Sequence, residues 1–302
     1  MKLATYEWRN EGARLGVLKD DLIIDVERLG VVCGNKMPLS MLELIDCGPV
    51  ALAALSQLIE DADAVMLSQC STPACNVRFL APIPRPRKNI IGIGLNYTEH
   101  VAESARSLDT SGKLPEKPII FSKPPTAVTG WDAPVYHNSE LTQQLDWETE
   151  LGVIMGRTAR NAAEAEALSY VFGYTIINDI SARDCRREGQ WIVSKGQDSF
   201  APMGPLIVTA DEISDPHDLA LSTFVNGVEK QNSNTKYMLF NINALIADIS
   251  QVMTLEPGDI IATGTPAGVG AGRDPQEFMW PGDVVESVIE PIGRLRNPIV
   301  AA

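Results

Sequence analysis

Short apolar runs alternate with polar turns along most of the chain, and few of these runs are long enough to be helices. Leu3–Tyr6, Arg14–Leu18 and Asp21–Val26 predict three strands, the last two joined by a turn at Lys19-Asp20. Apolar positions at helical spacing then predict helices around Ser40–Asp46 and Val50–Glu60. The stretch Ala81-Pro82-Ile83-Pro84-Arg85-Pro86-Arg87 can continue neither kind of element, because proline fixes φ and removes a donor. It predicts a boundary between a small α/β N-terminal domain, residues 1–80, and a larger domain, residues 81–302.

Beyond that boundary strands dominate. Asn89–Gly94, Lys117–Phe121, Leu145–Met155 (broken by Gly152) and Thr175–Asn178 read as strands. Asp218–Val225 alternates into an Asn226-Gly227 hairpin turn. Pro257-Gly258-Asp259 and Pro281-Gly282-Asp283 each open a further apolar strand. Helices are expected at Glu99–Ser107, Ala162–Leu168 and Asn241–Met253. The fold class that follows is α+β and strand-rich, with a rolled or barrel-like sheet carrying helices on its outside.

Composition alters this picture little. Of 302 residues, 45% are hydrophobic and 21% charged, as in ordinary globular chains. The net charge of -14 repels phosphate backbones, so no nucleic acid is expected as a partner. No apolar run approaches the roughly 20 residues that span a bilayer, and the N-terminus lacks a signal-peptide core, so no membrane partner and a cytoplasmic location are expected. Five scattered cysteines predict reduced thiols rather than a disulfide framework.

Chemistry concentrates in a few segments. In Asp146-Trp147-Glu148-Thr149-Glu150-Leu151, strand geometry places Asp146, Glu148 and Glu150 on one face. Adjacent carboxylates in a partly dry site bind a proton or a cation; on an edge strand they would be a solvated acidic face. Asp179, at the end of the apolar strand Tyr174–Asn178, adds a third hard oxygen ligand to Glu148 and Glu150. Such a set suits Mg²⁺ or Mn²⁺, with Ca²⁺ a poorer fit and zinc disfavoured for want of histidine or cysteine. His100 and Glu103 lie three apart on a helical segment, the spacing at which a carboxylate fixes an imidazole tautomer and strengthens the base. Lys123, Arg183, Arg186 and Lys195 are candidate cations, each of which alone would pass for a surface charge. The loop Thr263–Gly270 lets backbone amides approach an anion, yet it is neither a P-loop nor a dinucleotide fingerprint.

Taken in order, Gly94-Leu95-Asn96-Tyr97 with His100 and Glu103, Lys123-Pro124, Asp146–Leu151, Asn178–Asp184, Lys195-Gly196 with Phe200–Pro205, and Thr263–Gly270 resemble the fumarylacetoacetate hydrolase family. The resemblance covers roughly residues 85 to 298. It implies a mixed β-roll or barrel in the C-terminal domain, a homodimer, and Mg²⁺ or Mn²⁺ on Glu148, Glu150 and Asp179. It also implies that His100 and Glu103 sit on a segment ordering over the substrate, with Ser107–Glu116 as a lid. Arg183 and Lys195 would hold substrate oxygens, and Thr265 would contact a carboxylate.

The implied reaction is hydrolysis of a C–C bond in a 2,4-diketo acid of the acylpyruvate or fumarylpyruvate kind. His100, oriented by Glu103, would activate water, Lys195 would stabilise the oxyanion, and the metal would act as electron sink for the departing carbanion. Lys123 joins Arg183 and Thr265 among the expected substrate contacts. One position departs from the family pattern: hydrolytic members commonly carry glutamine where this chain has Arg186, a cation that could stabilise an oxyanion or bind a second substrate carboxylate. Pro125, where a serine is frequent, is a smaller difference. The same ligands also serve isomerases of 2-hydroxyhepta-2,4-diene-1,7-dioate type and oxaloacetate decarboxylases. A non-catalytic metal-binding protein would carry a broken dyad or a missing ligand, and neither is broken here.

Overall fold

The computed structural model describes residues 1–9, 11–107, 113–187 and 189–302. The three N-terminal strands are Lys2–Glu7, Ala13–Lys19 and Leu22–Asp25, paired antiparallel in sequence order. Their tight turn lies one residue later than expected, at Asp20 and Asp21, which both take positive φ, 49° and 61°, as a hairpin turn of this type requires. The two expected helices are present within Met41–Asp61, separated where Gly48 takes a non-helical φ of 67° ahead of Pro49. Ser40 caps it through a bond from the Glu43 amide. Among the described residues this is the one helix long and apolar enough to cross a membrane by length and composition. Met41, Leu44, Ile45, Leu55 and Ile59 of this helix are buried in the protein core.

A mixed sheet of 12 strands runs through both halves of the chain. Lys2–Glu7 pairs antiparallel with Ala201–Thr209, which pairs with Val171–Asn178, which pairs in turn with Thr149–Met155. Ile260–Ala262, Ile90–Gly94 and Ile119–Lys123 follow toward the far edge. The sheet therefore crosses the expected boundary at residue 80. So does the core: Leu3, Leu29 and Leu44 share one cluster with Ile154, Ile177 and Met203.

A second sheet of five strands, from Val228–Asn234 to Val135–His137, includes the Asn226-Gly227 hairpin. It meets the first through Leu221, Ile289 and Leu295 packed with Leu151, Val153 and Ile176, closed off by Leu245, Ile246 and Ile249 of the helix Ile242–Val252. Both sheets are open, so the structure is a mixed α+β, strand-rich fold rather than a closed barrel.

The strand carrying the acidic motif breaks elsewhere than expected. It runs unbroken through Gly152, where a Cβ would strike the side chains of Thr175 and Ile177. The interruption falls instead at Trp147 and Glu148, between Leu145–Asp146 and Thr149–Met155. There the Trp147 amide is taken by the Asp146 carboxylate at 2.8 Å and the Glu148 amide by the Asn178 side chain at 3.0 Å. Side-chain oxygens have replaced ladder partners, and the period-two alternation is lost.

Candidate metal centre and catalytic cavity

Strand pairing assembles the carboxylates. Thr149 lies opposite Asn178, and just beyond the pair the Asp179 amide donates to the Glu148 carbonyl at 2.8 Å. Glu148, Glu150 and Asp179 are buried, and one carboxylate oxygen of each lies within 4.8 Å of the others. Asp146, expected on the same face, lies apart from them because of the break at residues 147 and 148. Its carboxylate accepts from the Gly270 amide at 2.6 Å, the Ala271 amide at 3.0 Å and Arg183 Nε at 2.8 Å.

Three cations close on the triad. Lys195 Nζ lies 2.6 Å from both Glu148 Oε2 and Asp179 Oδ2. Arg183 Nη2 lies 2.6 Å from Glu148 Oε1. Lys123, fully buried, bonds Asp179 and the Ile180 carbonyl. Lys123, expected among the substrate contacts, is taken up by these two groups and is not among the residues lining the cavity beside this centre.

Charge separates the three carboxyls. Burial opposes ionisation of Glu148, but Lys195 and Arg183 outweigh it and hold this carboxyl well below its ordinary range. Glu150 goes the other way: burial, with Asp179 and Glu148 beside it, pushes its carboxyl well above 4.5, and its bond from the Gly264 amide at 2.9 Å offsets only part. Lys195 is raised, since Asp179 and Glu148 overcome the cost of its burial. A divalent cation fits this arrangement. The donors are all hard oxygens, four buried carboxylates face three buried cations, and Glu150 has no side-chain cation bonded to it among the described residues.

A cavity of about 220 Å³ opens on the centre, lined by His100, Glu148, Arg183, Arg186, Lys195 and Thr265. The expected dyad is formed: His100 Nδ1 and Glu103 Oε2 are 3.3 Å apart on the helix Thr98–Ser107, both side chains buried. Glu103 is fixed from its other side by the Gly268 amide at 3.0 and 3.2 Å. The lid expected over residues 107–116 falls largely outside the described residues. Thr265 reaches the wall, but its hydroxyl already donates to the Thr149 carbonyl at 2.9 Å and accepts from Gln231 at 2.8 Å. Arg186 stacks on Trp191, its guanidinium carbon 4.5 Å from the ring centre, and among the described residues it forms no ion pair with a carboxylate.

The glycine-rich loop does cradle anions, but they are the protein's own. Its amides bind Glu150 at Gly264, Glu103 at Gly268, and Asp146 at Gly270 and Ala271. Sequence reasoning missed this, and it missed Ser104 and Trp191 at the cavity wall. Ser104 could have been found from its spacing, one helical turn after His100. Trp191 carried no such signal.

The model of the fumarylacetoacetate hydrolase C-terminal region matches residues 89–300. Oxaloacetate tautomerase YisK of Bacillus subtilis is 40% identical over 304 residues, covering 99% of this chain and all of the relative. Among solved structures, a fumarylacetoacetate hydrolase of Exiguobacterium antarcticum superposes with a TM-score of 0.82 at 38% identity over the whole of both chains. Maleylpyruvate hydrolase of Sphingobium sp. SYK-6, in complex with manganese(II) and pyruvate, gives 0.79 at 32%, again over both whole chains. The ordered motifs, the buried carboxylate triad and these matches agree: the chain belongs to the fumarylacetoacetate hydrolase family.

Proposed function

We propose that this protein is a divalent-metal-dependent enzyme that interconverts the enol and keto forms of a small 2-oxo dicarboxylic acid of the oxaloacetate class. The observation that carries the reading is Arg186, a guanidinium held on Trp191 at the wall of a small cavity and, among the described residues, without a carboxylate of its own. A substrate with a carboxylate at each end gives it one. The likeness to an oxaloacetate tautomerase along nearly the whole chain supports the same reading.

Glu148, Glu150 and Asp179 would hold Mg²⁺ or Mn²⁺. When bound, the ion supplies a Lewis acid that lowers the cost of negative charge at the 2-oxo oxygen. Lys195, at the wall beside Glu148, places a positive charge where that oxygen gathers electron density. His100 moves the proton: it delivers one to C3 as the enol becomes the ketone, and the proton released by the enol hydroxyl returns to the imidazole through water, so the protons balance. Glu103 sets the imidazole tautomer through Nδ1 and leaves Nε2 for the substrate. Arg183, engaged by Asp146 and Glu148, shapes the wall and fixes a ligand.

The test is turnover of metal-stripped protein with and without Mg²⁺ or Mn²⁺, read as loss of enol ultraviolet absorbance from freshly dissolved oxaloacetate. Metal-dependent acceleration supports the reading; the spontaneous rate with metal bound would sink it. A second reading, hydrolysis of an acylpyruvate-type C–C bond, is favoured by the intact His100–Glu103 pair, which could equally activate water. Pyruvate release from acylpyruvates in a coupled assay distinguishes the two.

A further inference from the structure

Ser104 sits one turn beyond His100 on the same helix, so the two side chains share a face about 6 Å apart along the axis. Ser104 is fully buried, it is one of the residues lining the catalytic cavity, and among the described residues its hydroxyl has no hydrogen-bond partner. A helical serine ordinarily donates back to the carbonyl four residues earlier, and a buried hydroxyl is costly to leave unpaired. Neither the metal-binding carboxylates nor Lys195 reaches it: Glu148 is occupied by Lys195 and Arg183, and Glu103 turns away to the Gly268 amide. A buried donor on a residue that lines a cavity, with nothing to accept from it among the described residues, can serve an acceptor group on the ligand.

We infer that Ser104 is a substrate-contacting residue, which together with Arg186 binds the substrate carboxylate remote from the metal centre. This rests on the dicarboxylate reading above. The triad and Lys195 take the 2-oxo end, His100 stands over the carbon that exchanges its proton, and Ser104 continues that line by one helical turn. The second carboxylate meets a hydroxyl and a guanidinium that, among the described residues, have no polar partner of their own, on two residues lining the same cavity.

The probe is 3,3-difluoro-oxaloacetate, which has no proton at C3 and cannot enolise, compared with pyruvate, which lacks the second carboxylate. Binding of each to the Mg²⁺-loaded protein is measured by calorimetry for wild type, Ser104→Ala and Ser104→Thr. The expected result is about tenfold weaker binding of difluoro-oxaloacetate to Ser104→Ala, the size of a hydrogen bond to a charged acceptor, with unchanged pyruvate affinity and no loss of Tm. Ser104→Thr keeps the hydroxyl and recovers most of the affinity, and kcat/KM for oxaloacetate falls with Ser104→Ala in step with binding. Equal affinities in wild type and Ser104→Ala, or a fall in Tm alone, would overturn the assignment while leaving the dicarboxylate reading in place. A wild-type protein that binds difluoro-oxaloacetate no better than pyruvate would instead overturn the dicarboxylate reading, and the role of Ser104 with it.

Discussion

Replacing Gly272 by alanine should disable the proton-transfer pair while leaving the fold almost untouched. A Cβ at position 272 would lie 2.0 Å from Glu103 Cδ, 2.2 Å from Cγ and 2.3 Å from Oε1. Ordinary carbon contacts are about 3.5 Å, so the carboxylate must withdraw by about 1.5 Å. Its bonds from the Gly268 amide, 3.0 and 3.2 Å, and its 3.3 Å contact with His100 Nδ1 lie too near the hydrogen-bond limit to survive such a shift. A displacement of this size at a catalytic pair costs about 10²-fold in rate. Stability changes less: losing the bond from Gly268 to a carboxylate costs about 1.5–3 kcal/mol, and alanine returns about 0.4–1 kcal/mol by restricting the unfolded chain. A net loss of about 1–2 kcal/mol should leave the protein folded. The assay is kcat for enol loss at saturating metal, with metal affinity by calorimetry and near-ultraviolet circular dichroism as checks on the site and the fold. Glu103→Gln alone and Gly272→Ala/Glu103→Gln together complete a cycle. If Gly272 acts through Glu103, the double variant is no slower than Glu103→Gln. Wild-type kcat in Gly272→Ala, or fully additive losses, would refute the argument.

Three further outcomes follow from the charges. Glu150 is raised by burial and by its acidic neighbours, so the folded, metal-free protein binds a proton that the unfolded chain releases above 4.5. By linkage its contribution to stability is present below that value and lost as pH rises through the folded pKa; Glu148, depressed, runs oppositely and loses its contribution as pH falls below its ordinary range. As pH rises above about 5, metal-free Glu150→Gln should therefore lose less stability than metal-free wild type, and denaturant midpoints that fall equally would contradict this. Metal binding to wild type should release that proton, seen as a calorimetric enthalpy that varies with the buffer's ionisation heat, and the variation should vanish in Glu150→Gln. Lys123→Met, which strands the Ile180 carbonyl and removes a buried partner of Asp179, should cost about 3 kcal/mol or more in thermal unfolding, part of it restored by Mg²⁺. Arg186→Gln should raise KM for oxaloacetate about tenfold and leave pyruvate binding alone; an unchanged KM would remove the basis for a dicarboxylate substrate.

Local chemistry was readable in the sequence wherever one residue and its near neighbours decide it. The His100–Glu103 pair forms because a helical i, i+3 spacing is a local fact. Glu148, Glu150 and Asp179 were each visible as carboxylates on or at the end of a strand, although pairing of those strands is what brings them together. What went unread depended on partners remote in the chain. The strand Ala201–Thr209 joins the N-terminal strands to the rest of the sheet, yet it carries Pro202 and Pro205, residues that argue against a central strand. It is accommodated where its register against Val171–Asn178 shifts. For the same reason a proline-rich stretch at residues 81–87 reads as a division, although sheet and core continue across it. Lys123 looked like a free cation because nothing near it in sequence shows that Asp179, 56 residues on, takes its charge.

The glycine-rich loop ties these strands of evidence together. Gly264, Gly268, Gly270 and Ala271 direct amides at Glu150, Glu103 and Asp146, which are a member of the acidic triad, the carboxylate beside His100 and the partner of Arg183. One loop thus fixes the acidic triad and the His100–Glu103 pair against each other. Backbone amides suit this task because they are neutral: they hold a carboxylate in place without adding a cation to compete with the divalent ion for its charge. Side-chain cations in their place would neutralise Glu150 and remove its need for a metal. The glycines are required for close approach. A Cβ at Gly270 would stand 1.9 Å from the Glu277 carbonyl, and Gly268 takes a φ of 102° with the Lys230 carbonyl 2.3 Å from any Cβ. Alanine at either position should therefore disturb the loop backbone itself, lowering metal affinity and kcat together, whereas Gly272→Ala acts first on the Glu103 side chain.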